Sequence, residues 1–389
     1  MASSILLTLY AVFVFLASGT TAAVRRRVGA GDEQGATAEA VQALWLALAI
    51  GVVLVAVGLV TAGPLVDLLG ATGEVRANAL VYLRISLAGV PFLLLTLAGT
   101  GFLRGAQDTA TPLLIAVATA VANLALESVL IFGLGYGIGA SALSTVLAQG
   151  AGALAYVRRV ARAARRAGVA LVPHLASVGR LARVGVDLLV RTAALRAAFL
   201  VATAVAARLG AVDVAAHQVA FEVWSFLALG LDAVAIAGQA LVGRALGAGE
   251  GEAARSAGRR MIEWGVAMGV AFGLVLIAVR VPLAGVFTDD PAVESLAAFL
   301  LLCSGLMQPI NAVAFVLDGV LIGAGDLAFL ARAMVGSSVV FVPLAVLVAT
   351  TGAGIGWLWA ALAVFMATRA GALLARFASD RWVVLGATR

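Results

Sequence analysis

Within the apolar run 214–242, Gln218, Ser225, Asp232 and Gln239 recur every seven residues, and Glu222 stands one helical turn beyond Gln218. At about 100° per residue all five fall on one stripe of a helix. A carboxylate inside a membrane-length span is too costly to leave facing hydrocarbon, so the stripe is expected to line a cavity, where Glu222 or Asp232 takes up a proton or meets a cationic solute. The bland alternative is a polar seam satisfied by a neighbouring helix. His217 lies beside the stripe and is either a titrating group or an interfacial histidine near the helix end. In the run 184–208, Asp187 and Arg191 stand four residues apart, a spacing that lets them pair. Arg196 points almost opposite and is expected to find Glu222 or Asp232 on another helix. Asn123 and Glu127 are again four apart, in the run 112–133, and Glu127 is the coupling candidate of the first half. Gln308, Asn311 and Asp318 share one face of the run 293–322 and are expected to line the same cavity.

The rest of the composition removes most other chemistry. None of the 26 basic residues is lysine, so a Walker A lysine and a Schiff-base lysine are both impossible. One cysteine, Cys303, and two histidines, His174 and His217, build neither a Cys/His metal cage nor a disulfide framework. No catalytic residue, metal or cofactor is expected, and the chain is not read as an enzyme. The Gly133-Leu-Gly-Tyr-Gly-Ile-Gly139 run joins two apolar spans and follows no strand, so it is a tight loop rather than a nucleotide fingerprint. The arginines cluster between apolar runs rather than along one face, which excludes a nucleic-acid partner and fits the positive-inside rule.

These residues must be positioned by membrane helices. Hydrophobic residues make up 63% of the 389 and charged ones 12%, too little charge to cover a soluble globule. Spans of about twenty apolar residues are read at 2–24, 41–66, 79–103, 112–133, 138–160, 184–208, 214–242, 257–281, 293–322, 328–350 and 354–378. Arginine-rich connections alternate with arginine-poor ones and place the C-terminus in the cytoplasm. The sequence also repeats at a shift of 218 residues: Pro91 falls on Pro309, and Gly101-Phe-Leu-Arg-Gly-Ala-Gln-Asp108 on Gly319-Val-Leu-Ile-Gly-Ala-Gly-Asp326. The fold class is therefore an all-α integral membrane protein of two homologous helix bundles around a central cavity. Its expected parts are an N-terminal bundle over 1–160, a cytoplasmic linker over 161–182 and a C-terminal bundle over 183–389. Applied to the helix 184–208, the shift leaves the first bundle without its opening helix. The expectation is five helices plus six, with Met1 standing mid-protein or the chain a truncated copy. Pro91 and Pro309 are expected to break or bend corresponding helices near their middles.

Gly101-Phe-Leu-Arg-Gly-Ala-Gln-Asp-Thr-Ala-Thr-Pro112, Asp187-Leu-Leu-Val-Arg-Thr192 and Ala216-His-Gln-Val-Ala220 with Gln239-Ala-Leu-Val-Gly-Arg244 resemble the DinF-like branch of the multidrug and toxic compound extrusion (MATE) family. The resemblance covers nearly the whole chain. It implies twelve helices in two six-helix lobes and export of amphipathic, often cationic, small molecules in exchange for protons or sodium ions. It also implies a monomer in the plasma membrane, with the lipid bilayer and a small-molecule substrate as its partners. The family's first helix, with an aspartate implicated in proton coupling, has no counterpart position here. Two alternatives stand beside this reading: a flippase for lipid-linked precursors, which needs a strongly cationic cavity, and a non-transporting membrane protein.

Overall fold

The computed structural model describes residue 13, residues 15–68, residue 70 and residues 72–387. Every regular element among them is helical: α1 (Phe15–Gly29), α2 (Glu33–Leu68), α3 (Gly73–Leu87), α4 (Val90–Gly105), α5 (Ala110–Ser128), α6 (Ile138–Arg166), α7 (Leu175–Leu209), α8 (Ala211–Gly247), α9 (Gly251–Phe287), α10 (Pro291–Gly323), α11 (Leu327–Thr351) and α12 (Ile355–Ala378). In hydrocarbon no water meets a backbone N–H or C=O, so each apolar run closes its own hydrogen bonds as a helix. α2 and α5 to α12 are long and apolar enough to cross a membrane, and α3 with α4, bent by 42°, forms a further broken span. The multi-pass all-α fold read from the sequence is thus present. α1 carries the described part of the expected span 2–24; residues 2–12 and 14 lie outside the described residues.

The two prolines stand in different settings. Between α3 and α4 the amides of Ala88 and Gly89 bond back to Ile85 and Ser86, and Pro91 stands in the first turn of α4, where its missing N–H costs nothing. Pro309 instead lies inside the unbroken α10. Its ring excludes a bond to the carbonyl four residues back, that of Gly305, and that carbonyl is where Gly273 of α9 packs: a Cβ on Gly273 would sit 2.5 Å from the Gly305 oxygen. α10 runs on through Pro309, so of the two prolines only Pro91 stands at a break.

The chain divides into two compact units, Met1–Leu189 and Val190–Ala387. In the first, α1 packs on α2 and α4, and α6 on α4, α5 and α3. In the second, α10 packs against α8, α9 and α12 and is the most buried of the membrane-crossing helices. Small residues permit that packing: Gly265, Gly269 and Gly273 of α9 face α10, and Gly319 and Gly323 of α10 lie on the α8 backbone. The connection between α6 and α7 covers residues 167–174, within the expected linker 161–182, and the flanking helices extend into the rest.

The repeat is visible in the turns. Gly31 and Gly249, Gln107 and Gly325, and Gly168 and Gly386 each stand 218 residues apart, and all six have positive φ. At five of these turns the next residue donates to the carbonyl five back: Asp32 to Arg27, Asp108 to Leu103, Val169 to Ala164, Glu250 to Ala245 and Asp326 to Leu321. These are helix ends closed by a left-handed residue. In two of them the acid then starts the next helix, Asp32 accepting from the Gly35 N–H at 2.7 Å and Asp108 from the Thr111 N–H at 2.9 Å. The bond from Gly35, opposed by partial burial and aided by Arg27, holds the Asp32 carboxyl below its usual range. The shared Gly-Ala-x-Asp/Glu motif is therefore a helix-reversal element. A Cβ on Gly249 or Gly325 forces a side chain into the left-handed region, so Gly249→Ala and Gly325→Ala are each expected to cost about 1 kcal/mol. Gly371→Ala, in open space on helix α12, is expected to stabilise by about 0.5–1 kcal/mol. Thermal unfolding in detergent distinguishes the two signs.

Candidate functional site

In the first unit, α5 presents Asn123 and Glu127 one turn apart, both half-buried. Ser141 of α6 donates from Oγ to Glu127 Oε1 at 2.5 Å, while the buried Oδ1 of Asn123 has no hydrogen-bond partner among the described residues. Directly after Glu127 the helix widens into a π-helical turn over Val129–Gly133. Such turns are common where a helix is shaped around a functional group. Ser141 was not singled out from the sequence; the signal was a hydroxyl cluster, Ser141, Ser144 and Thr145, opening an apolar span.

In the second unit the structure builds a charge cluster on α10. Asp318 Oδ2 accepts from Arg191 Nη2 of α7 and from Arg369 Nη2 of α12. The Arg369 side chain is 1% exposed, Asp318 5% and Arg191 17%. Arg369 also lies over the Phe315 ring, 5.3 Å from its centroid, which is favourable for a cation. Asp232 of α8 is near enough to act electrostatically on both arginines. The expected pairing of Arg191 with Asp187 is therefore corrected: a buried carboxylate across the helix interface outcompetes a neighbour on the same helix surface. Arg196 is exposed and pairs with neither Glu222 nor Asp232 among the described residues. Arg369 was missed altogether, although an arginine in the middle of the apolar run 354–378, one of two there with Arg376 near its end, carries the same signal as Arg191.

The polar face of α10 points inward. Gln308, Asn311 and Asp318 are buried, with Ser304 one turn before Gln308. Ser304 Oγ, Gln308 Nε2 and both amide atoms of Asn311 have no hydrogen-bond partner among the described residues. This face therefore lies within the second unit rather than along an open cavity wall, because α10 is enclosed by its neighbours. The stripe on α8 divides. Gln218, Glu222 and Asp232 are exposed and Ser225 is half-buried, whereas Gln239 is buried where Gly323 meets its backbone. His217 is packed among rings inside the second unit: it is 1% exposed, stacked on Phe221 at 5.8 Å and edge-on to Trp359 at 5.9 Å. Thr203 Oγ1 approaches its Nε2 at 3.4 Å. The described residues hold no group of three or more His, Cys, Asp or Glu side chains that suits a metal.

A bundle with buried charge inside its helices, and carboxylates exposed on a spanning one, fits a solute pathway better than a reaction centre. The MatE family model matches residues 1–129 and 189–347, one segment in each half of the repeat. The chain belongs to the MatE family. This MatE chain is 35% identical to the protein DETOXIFICATION 43 of Arabidopsis thaliana over 300 residues, 77% of this chain and 56% of that protein. It is 27% identical to the DNA damage-inducible protein F of Escherichia coli over 369 residues, covering 93% and 79% of the two chains. A solved structure of a multidrug resistance MATE family transporter in its outward-facing conformation superposes with a TM-score of 0.87 at 21% identity, over 98% of this chain and 87% of that one. The chain spans just over half the length of the Arabidopsis relative.

Proposed function

We propose that this MatE chain is a secondary active antiporter that exports amphipathic or cationic small molecules from the cell in exchange for H+ or Na+ by alternating access. The observation that carries the reading is the exposure of Gln218, Glu222 and Asp232 along a membrane-crossing helix. Two carboxylates and an amide facing lipid would be expensive, so this face is read as bordering water and solute. The fold shared with a multidrug resistance transporter supports the substrate class.

Glu127 is proposed as the coupling group of the first unit. Its single hydroxyl partner leaves it acceptor capacity for a proton or a sodium ion. Arg191 and Arg369 give their hydrogen bonds to Asp318, leaving Asp232 and Glu222 as the solute-facing carboxylates of the second unit. Glu127→Gln keeps the size and the hydrogen bond while removing the charge, and is expected to reduce gradient-driven export of a fluorescent amphipathic cation to background with folding intact. Transport at the unmodified rate would remove Glu127 from the mechanism.

A further inference from the structure

Beside the α6–α7 connection, the first unit holds an apolar cavity of about 270 Å³. Its walls are Trp45 and Leu48 of α2, Leu95 of α4, Val157 and Ala161 of α6, and Leu171 of the connection. The connection is strapped across α2: Trp45 Nε1 donates to the Leu171 carbonyl at 3.1 Å, Gln42 Nε2 to the Val172 carbonyl at 3.1 Å, and the His174 amide to Gln42 Oε1 at 2.7 Å. Arg180 reaches Glu39 at 3.7 Å from the other side. Despite that anchoring, Leu171, Val172 and Leu175 remain 43%, 63% and 83% exposed. An anchored segment that leaves three large aliphatic side chains outward is suited to dip into the interfacial layer of a bilayer.

The exposed charge that α6 carries beside this cavity is basic. On α6, Val157, Ala161 and Arg165 follow one another at four-residue steps, so Arg165 stands one turn beyond the cavity wall on the same face. Arg158 and Arg162 flank that row. All three arginines are exposed and make no ion pair among the described residues. Surface arginines need no partner in water, but beside an apolar slot at a membrane boundary they complement a ligand with an acyl tail and an anionic head.

We infer that this cavity is an anionic-phospholipid site, the acyl chain lying against Trp45, Leu48 and Val157 while the phosphate rests on Arg158, Arg162 and Arg165. It does not depend on the transport reading, only on a chain that crosses the bilayer. Trp45 supplies the probe. The purified full chain is placed in phosphatidylcholine bilayers containing a small fraction of brominated-chain lipid, with either a phosphatidylglycerol or a phosphatidylcholine head, and tryptophan quenching is measured. Quenching by the brominated anionic lipid is expected to exceed that by the zwitterionic one, and the excess is expected to disappear in Trp45→Phe. Removing the charges in R158Q/R162Q/R165Q is expected to weaken the preference for the anionic lipid at least about tenfold, from a contribution on the order of a fivefold factor for each basic side chain. Ala161→Phe, which fills the slot and keeps the arginines, is expected to abolish the excess as well. Equal quenching by the two lipids, or an excess that survives in Trp45→Phe or in Ala161→Phe, would overturn the site.

Discussion

Asp318→Ala is expected to destabilise the protein by about 3–5 kcal/mol, because it strands the guanidiniums of Arg191 and Arg369 in the interior with no counter-charge on α10. Asp232 acts on both arginines but lies on the exposed side of α8 and replaces neither hydrogen bond. Asp318→Asn keeps the shape and one acceptor oxygen, so its loss is expected to be smaller. The exposed turn residue Asp289 serves as the control, since Asp289→Ala removes an acid that no described partner holds. Unfolding can be followed in detergent by the labelling of Cys303, the chain's only thiol and a half-buried one. An Asp318→Ala protein that melts with Asp289→Ala would mean that the cluster is not the keystone its burial implies.

Gly319→Val is the second large effect. A Cβ at this position would lie 2.1 Å from the Ala235 carbonyl oxygen and 2.5 Å from its carbonyl carbon, both atoms of the α8 backbone. A flexible side chain can swing aside, but a helix backbone cannot, so α8 and α10 must separate along their length. Overpacking of this kind costs about 1–3 kcal/mol even for a small group, and a branched one is expected to exceed that range. Gly336→Ala on α11 adds its methyl to open space and is expected to leave unfolding close to that of the unmodified chain. Equal melting of the two variants would contradict the α8–α10 contact.

The fold was legible where one chemical signal dominates. Long apolar runs bounded by arginines specify membrane helices, and the 218-residue repeat announces two related bundles, seen again in the paired left-handed turns. The break at Ala88–Gly89 was legible through Pro91, but the continuity of α10 through Pro309 was not, because a proline inside a helical run is compatible with either a break or an uninterrupted helix. The sites were harder. Periodicity placed Gln308, Asn311 and Asp318 on one face of α10, yet whether that face looks into a bundle or along a cavity is set by neighbouring helices. Arg191 lies four residues from Asp187 in sequence, and local spacing could not reveal that Asp318, 127 residues away, is the carboxylate it meets. The Gly-Ala-x-Asp element reads as a family signature, but its acids close and start helices; sequence alone does not separate an acid that caps from one that couples.

The most direct test of the antiport reading is solute movement in proteoliposomes containing the full chain, with a fluorescent amphipathic cation and an imposed proton or sodium gradient. Uphill movement of the cation opposite to the ion is expected, present with at least one of the two gradients, collapsed by the matching ionophore and reduced to background in Glu127→Gln. Movement that ignores both gradients, or none at all for any of a broad panel of cations, would contradict it.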